Sequence, residues 1–143
     1  MQLDETDRRL VDLLRENARM PVTALAHRLQ LARTTVQARL TRLETSGAIA
    51  GYTLKQGPGT EPMLRATVLV AVEPRRGPAV LDRLKVLPGV ERAYTTSGRF
   101  DLLVQVAAPS PGDLDALLDR IGDSNGVRSS ESLIHLSTKI DRG

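Results

Sequence analysis

Apolar residues recur every three or four positions up to about residue 46 and every second position from about residue 65, and the nine residues KQGPGTEPM (55–63) between hold two glycines and two prolines. A helical stripe and a strand alternation cannot belong to one element, because side chains repeat every 3.6 residues in a helix and every 2.0 in a strand. Gly-Pro clusters interrupt both. The chain is therefore expected to divide into a helical domain over residues 1–50, a strand and linker over 51–64, and a mixed domain over 65–143.

In the first part, Asp4 followed by Asp7 can cap a helix whose stripe is Leu10, Val11, Leu13 and Leu14, ending near Asn17. Pro21 opens a second, shorter helix with Val22, Leu25, Ala26 and Leu29 at i, i+3, i+4 and i+7. A third begins near Arg33 and runs to about Ser46, where Gly47 supplies a left-handed cap. Three short helices with a tight turn between the last two make a helix-turn-helix unit of winged-helix-like type. Ala48 to Leu54 reads as a strand.

The second part reads as strand 65–73, helix 78–87, strands 90–97 and 100–108, helix 112–122 and strand 127–138. LPGVER (87–92) and SNGVRS (124–129) both place Gly-Val where a helix gives way to a strand. Two such βαβ halves interleave as a ferredoxin-like split sheet with both helices on one face, so the fold class is α+β. In the first strand Ala66, Val68, Val70 and Val72 alternate with Thr67, Leu69 and Ala71, which makes both sides of the sheet largely apolar. One side packs on the helices; the other needs a cover, and a second subunit supplies one.

The third helix raises the question of function. Val36, Leu40 and Leu43 form one stripe, while Thr34, Gln37, Ala38 and Thr41 lie opposite with Arg33 and Arg42 at the edges. Net charge is only +3, but Arg28 to Arg42 holds four arginines and no acid. Such a cluster is either a solvated face, a packing surface for another protein, or a reader of double-stranded DNA. Arginine bonds guanine, glutamine bonds adenine, and threonine bonds either or meets a thymine methyl. Arg33, Thr34, Gln37, Thr41 and Arg42 supply that vocabulary, with Arg28 beside them for phosphate. Arg39 lies nearer the buried edge and is expected to pair with an acid of the first helix, Asp7 or Asp12.

Other chemistries lack their residues. Three aromatics, Tyr52, Tyr94 and Phe100, are too few for a base-stacking platform. Without cysteine there are no disulfides, thiolate sites or thiol nucleophiles. The two histidines, His27 and His135, are far apart in sequence and no ligand-spaced cluster surrounds either, so neither a metal nor another cofactor is expected. The charged start MQLDETDRRL and an uncharged run no longer than Leu102 to Gly112 point away from a membrane and towards a cytoplasmic protein.

The segments LDETDRRLVDLL, ENARMPVTALAHRL, LARTTVQARLTRLETSGAIAGY, SGRFDLLVQV and GVRSSESLIHLS, in that order, resemble the Lrp/AsnC (feast/famine) transcription regulators. The likeness spans essentially the whole chain. It implies a DNA-binding helix-turn-helix joined to a βαββαβ domain that forms dimers, often assembled into tetramers or octamers, and an amino acid or related small molecule held between subunits. Carried onto this sequence, the effector site comprises the turn Gly98, Arg99, Phe100 and Asp101 and the hydroxyls of Ser130 and Ser132, with Asp101 taking an ammonium and backbone amides near Gly98 a carboxylate. Read without the resemblance, the same turn simply joins two strands and Asp101 caps it. Two departures stand out: Gln30-Leu31-Ala32 replaces the family's Gly-Leu-Ser, and serines at 130 and 132 replace two threonines. Siroheme decarboxylase subunits share the two-domain plan, but here GAIAGYT carries no arginine pair and His135 is the only histidine after residue 65. An architectural DNA-compacting protein is the other alternative.

Overall fold

The computed structural model describes residues 2–57, 60 and 63–143. The chain separates into two compact units between Lys55 and Gln56.

The first unit holds three helices, α1 (Glu5–Glu16), α2 (Val22–Leu29) and α3 (Arg33–Thr45). Asp4 and Asp7 form a reciprocal capping box at the start of α1: Asp7 N–H donates to Asp4 Oδ1 at 2.8 Å and Asp4 N–H to Asp7 Oδ2 at 3.3 Å. Two backbone donors that the helix cannot satisfy are thereby paired. Leu10, Leu14, Leu25, Leu29, Val36 and Leu43 meet in one aliphatic core, with Leu40 and Ile49 at its edge. The stripe inferred for the third helix is therefore its buried side.

The departure at Gln30-Leu31-Ala32 leaves the helix start at Arg33 in place. Gln30 ends α2 in the left-handed conformation, φ 55° and ψ 46°, where glycine is at ease and a side chain is not. Ala32 caps α3 with no side-chain hydrogen bond. Both are costs the fold bears, so Ala32→Ser should stabilise this unit by about 1 kcal/mol and Gln30→Gly by about 0.5–1 kcal/mol. Denaturation midpoints of the two single variants check this, and a loss of stability in either would refute the account of that position.

The strand expected over Ala48–Leu54 is absent. Strand backbone needs a neighbouring ladder, and this segment turns back on α3 instead: Ile49 N–H donates to Leu43 O at 2.9 Å and the Tyr52 hydroxyl to Glu44 Oε1 at 3.3 Å. Gly47, at φ 81°, makes that reversal.

The second unit contains β1 (Leu64–Val72), α4 (Gly77–Lys85), β2 (Val90–Thr95), β3 (Leu102–Ala108), α5 (Pro111–Gly122) and β4 (Val127–Ile134). The sheet order is β2-β3-β1-β4 and every pairing is antiparallel, the split βαβ arrangement expected. β4 stops four residues short of the expected 138, because β1 begins at Leu64 and offers no further ladder beyond the bond from His135 N–H to Arg65 O. Ala66, Val68, Val70, Val104 and Val106 pack on Val80, Leu84, Leu114, Leu117 and Ile121 of the two helices. By register, the opposite face carries Thr67, Leu69 and Ala71 of β1, Leu103 and Gln105 of β3, Tyr94 of β2 and Leu133 of β4. Tyr94 and Leu133 are about half exposed, at 49% and 50%.

Candidate functional sites

On α3 the burial of Val36 and Leu43 turns the other stripe outward, and Arg33, Thr34, Gln37, Ala38, Thr41 and Arg42 are all exposed. Gln37 Nε2 donates to Thr41 Oγ1 at 3.3 Å, so two of the expected base-reading groups are already in register one turn apart. Thr34, Thr35, Ala38, Arg39 and Arg42 line a shallow depression on this helix. Arg28 and His27 are exposed on α2.

Two of the arginines are not free. Arg39 Nη1 donates to Asp4 Oδ2 at 2.7 Å and to Asp7 Oδ1 at 3.1 Å, the structural pairing expected for it, with Asp7 rather than Asp12. Arg42 Nη2 donates to Asp7 Oδ2 at 2.9 Å while its side chain stays 55% exposed, so the residue grouped with the base readers is also tied to α1. Asp7 is only 1% exposed and is the one buried ionisable side chain among the described residues. The Arg39 guanidinium, through its hydrogen bond, holds the Asp4 carboxyl below the usual carboxylate range, with help from the Asp7 backbone; Asp4 in turn raises Arg39 further. Asp4 and Asp7 are legible in the sequence as a cap, whereas the bond from Arg42 to Asp7 is not. Spacing gives only a partial signal: Arg39 and Arg42, three apart, share one helix side.

The turn from Ser97 to Asp101 joins β2 to β3, with Gly98 at φ 111° and the Arg99 guanidinium 5.1 Å above the Phe100 ring. Asp101 is built into the sheet end: Oδ2 accepts from Val72 N–H at 2.7 Å, its N–H donates to Val70 O at 2.8 Å, and its carbonyl accepts from Thr96 N–H at 3.0 Å. One carboxylate oxygen is thus occupied by backbone rather than waiting for a ligand. Ser130 pairs across from Val70, which pairs in turn with Leu102, so the turn and Ser130 lie at one end of the sheet on either side of β1. Two interstrand spacings separate their strands, roughly 9–10 Å. Ser130 and Ser132 share the register of Val70 and Val68, on the helix-covered side, and a Cβ added to Gly122 of α5 would stand 3.3 Å from Ser130 Oγ. Of the six residues carried over from the resemblance, the turn and Ser130 lie at one end of the sheet and Ser132 beside Val68, midway along β1, so the turn and the two serines stand on strands either side of β1.

Comparison with known proteins agrees with this architecture. Residues 3–44 match the AsnC-type helix-turn-helix domain and residues 65–143 the Lrp/AsnC ligand binding domain. The chain is 31% identical over 137 residues to the HTH-type transcriptional regulator LysM of Saccharolobus solfataricus, covering 95% of each. Among solved structures, E. coli AsnC superposes with a TM-score of 0.87 at 25% identity, covering 100% of this chain and 98% of that one. The Mycobacterium tuberculosis leucine response regulatory protein LrpA gives 0.77 at 32% identity, covering 99% and 97%. These relatives are regulators, which removes the siroheme decarboxylase alternative. No helix among the described residues is long and apolar enough to cross a membrane. The chain belongs to the Lrp/AsnC family: it is a DNA-binding transcription regulator with a ligand-binding domain, and not an enzyme.

Proposed function

We propose that the protein binds duplex DNA as a homodimer, α3 of each subunit entering one of two successive major grooves about 34 Å apart. The observation carrying this is the outward stripe of α3, where Thr34, Gln37 and Thr41 stand opposite the buried Val36 and Leu43. Arg33 and Arg42 extend that stripe, and Arg28 serves phosphate. The dimer is supported by the sheet face bearing Leu69, Leu103, Tyr94 and Leu133, which lies opposite the face packed on α4 and α5; tetramers or octamers build on it. An amino acid or related small molecule, taken up near Gly98, Arg99, Phe100, Asp101, Ser130 and Ser132 between subunits, modulates assembly or DNA binding. The response to leucine named for the mycobacterial relative at 32% identity supports that class of ligand. Such a protein works in the cytoplasm at the nucleoid, with residues 51–64 connecting the reading domain 1–50 to the domain 65–143.

Gel shifts against genomic fragments, with nonspecific competitor and with each of the twenty amino acids, test the reading. Gln37→Ala should lose about 5- to 150-fold in preference at one or two base pairs, whereas Arg28→Ala should weaken all duplexes alike. Unchanged preference in Gln37→Ala would remove α3 as the reader, and equal affinity for every fragment in the wild type would mark an architectural protein. If no amino acid alters the shift, the proposed effector class is wrong.

A further inference from the structure

We propose that Asp7 is a positioning residue that sets the sequence preference of α3 by holding Arg42; this rests on the reading of α3 as the DNA-contacting helix. Both Asp7 oxygens are engaged, Oδ1 by Arg39 and Oδ2 by Arg42 and by Asp4 N–H. The α1 cap does not require the Asp7 charge, because Asp4 Oδ1 accepts the Asp7 N–H. A buried carboxylate with two guanidinium partners is a costly way merely to join two helices, since apolar side chains of similar volume do so at least as well. What it provides instead is orientation. Guanidinium is a planar fork with five donors, and fixing one of its nitrogens on Asp7 leaves the rest of Arg42 projecting beside Thr34, Thr35 and Ala38 in the depression on α3.

Two consequences of opposite sign follow. Pairing with Asp7 offsets the charge of Arg42, which weakens its sequence-independent pull on phosphate. The same pairing limits the directions in which Arg42 can present its remaining donors, which sharpens directional bonding to a base edge. Removing the Asp7 charge should therefore loosen preference while leaving nonspecific affinity equal or higher. A helix that had simply come loose would lose both.

The test uses the full-length chain and two duplexes, one selected by the wild type from random sequences and one scrambled, titrated at several salt concentrations with circular dichroism as a check on folding. Asp7→Asn should bind the scrambled duplex at least as tightly as wild type, with a steeper salt dependence, and lose about tenfold in preference. That loss should not recur when Asp7→Asn is added to Arg42→Gln. A proportional fall in both affinities, or effects that multiply in the double variant, would overturn the proposal. Arg42→Lys keeps the charge and loses the fork, so it should lose preference with Asp7 intact; wild-type preference there would also overturn it, even if Asp7→Asn failed to fold. Gln37→Ala in the same assay reports separately on whether α3 reads DNA at all.

Discussion

Leu43→Ala is expected to cost the N-terminal unit about 2–5 kcal/mol and, with it, DNA binding. Leu43 is fully buried among Leu10, Leu25 and Val36, so the truncation leaves a cavity that three short helices cannot close. A unit of this size has only about 3–8 kcal/mol of stability in total. The variant should therefore lose a large fraction of that stability, and at the upper end of the expected loss this region is largely unfolded, although every residue proposed to touch DNA is unchanged. Urea denaturation followed by the helical dichroism signal, alongside the gel shift, checks both halves of the claim. A loss below about 1 kcal/mol would mean that the core around Leu43 relaxes far more than its packing implies.

Gly89→Ala is expected to have a comparable effect on the C-terminal unit. Gly89 has φ 96°, and a Cβ placed there would stand 2.7 Å from Ala107 O and 2.8 Å from Leu117 Cδ2. Its own carbonyl accepts the Ala107 N–H at 2.8 Å, so the turn cannot move away without giving up that bond. Backbone strain of about 1–3 kcal/mol and overpacking of about 1–3 kcal/mol act together. Gly98 is the control: it too has positive φ, 111°, yet nothing lies within 4 Å of the added Cβ. Gly98→Ala should show the strain alone. Equal losses in the two variants, read from denaturation midpoints, would remove the close approach to Ala107 and Leu117 as a cause.

The local order of elements was legible because it depends on side-chain period and punctuation. Helical stripes in the first fifty residues, alternation in Leu64–Val72 and the two Gly-Val turns each point to one element type without reference to distant residues. The buried and exposed sides of α3 were legible for the same reason: Val36 and Leu43 share a side on any helix, wherever the rest of the chain goes. The ferredoxin-like order followed from the βαββαβ succession and the short connections that restrict how strands can pair.

Tertiary structure decided whatever depended on a partner from elsewhere in the chain. Ala48–Leu54 has the composition of a strand and is not one, because extended backbone becomes a strand only beside another, and Ile49 bonds back to Leu43 instead. Gln30 takes a left-handed conformation that its side chain disfavours, because the packing of α2 and α3 in one core outweighs a local preference of about 1–2 kcal/mol. Asp101 reads either as a cap of its own turn or as a partner for an ammonium, and the donor it meets, Val72 N–H at 2.7 Å, comes from the end of a neighbouring strand. Arg42 reads as one more exposed cation until α1 brings Asp7 to it across thirty-five positions of sequence. Period and punctuation act over three or four residues, so the sequence marks helices and the faces they bury; an ion pair or a strand ladder joins residues far apart, and only the folded chain determines which of them meet.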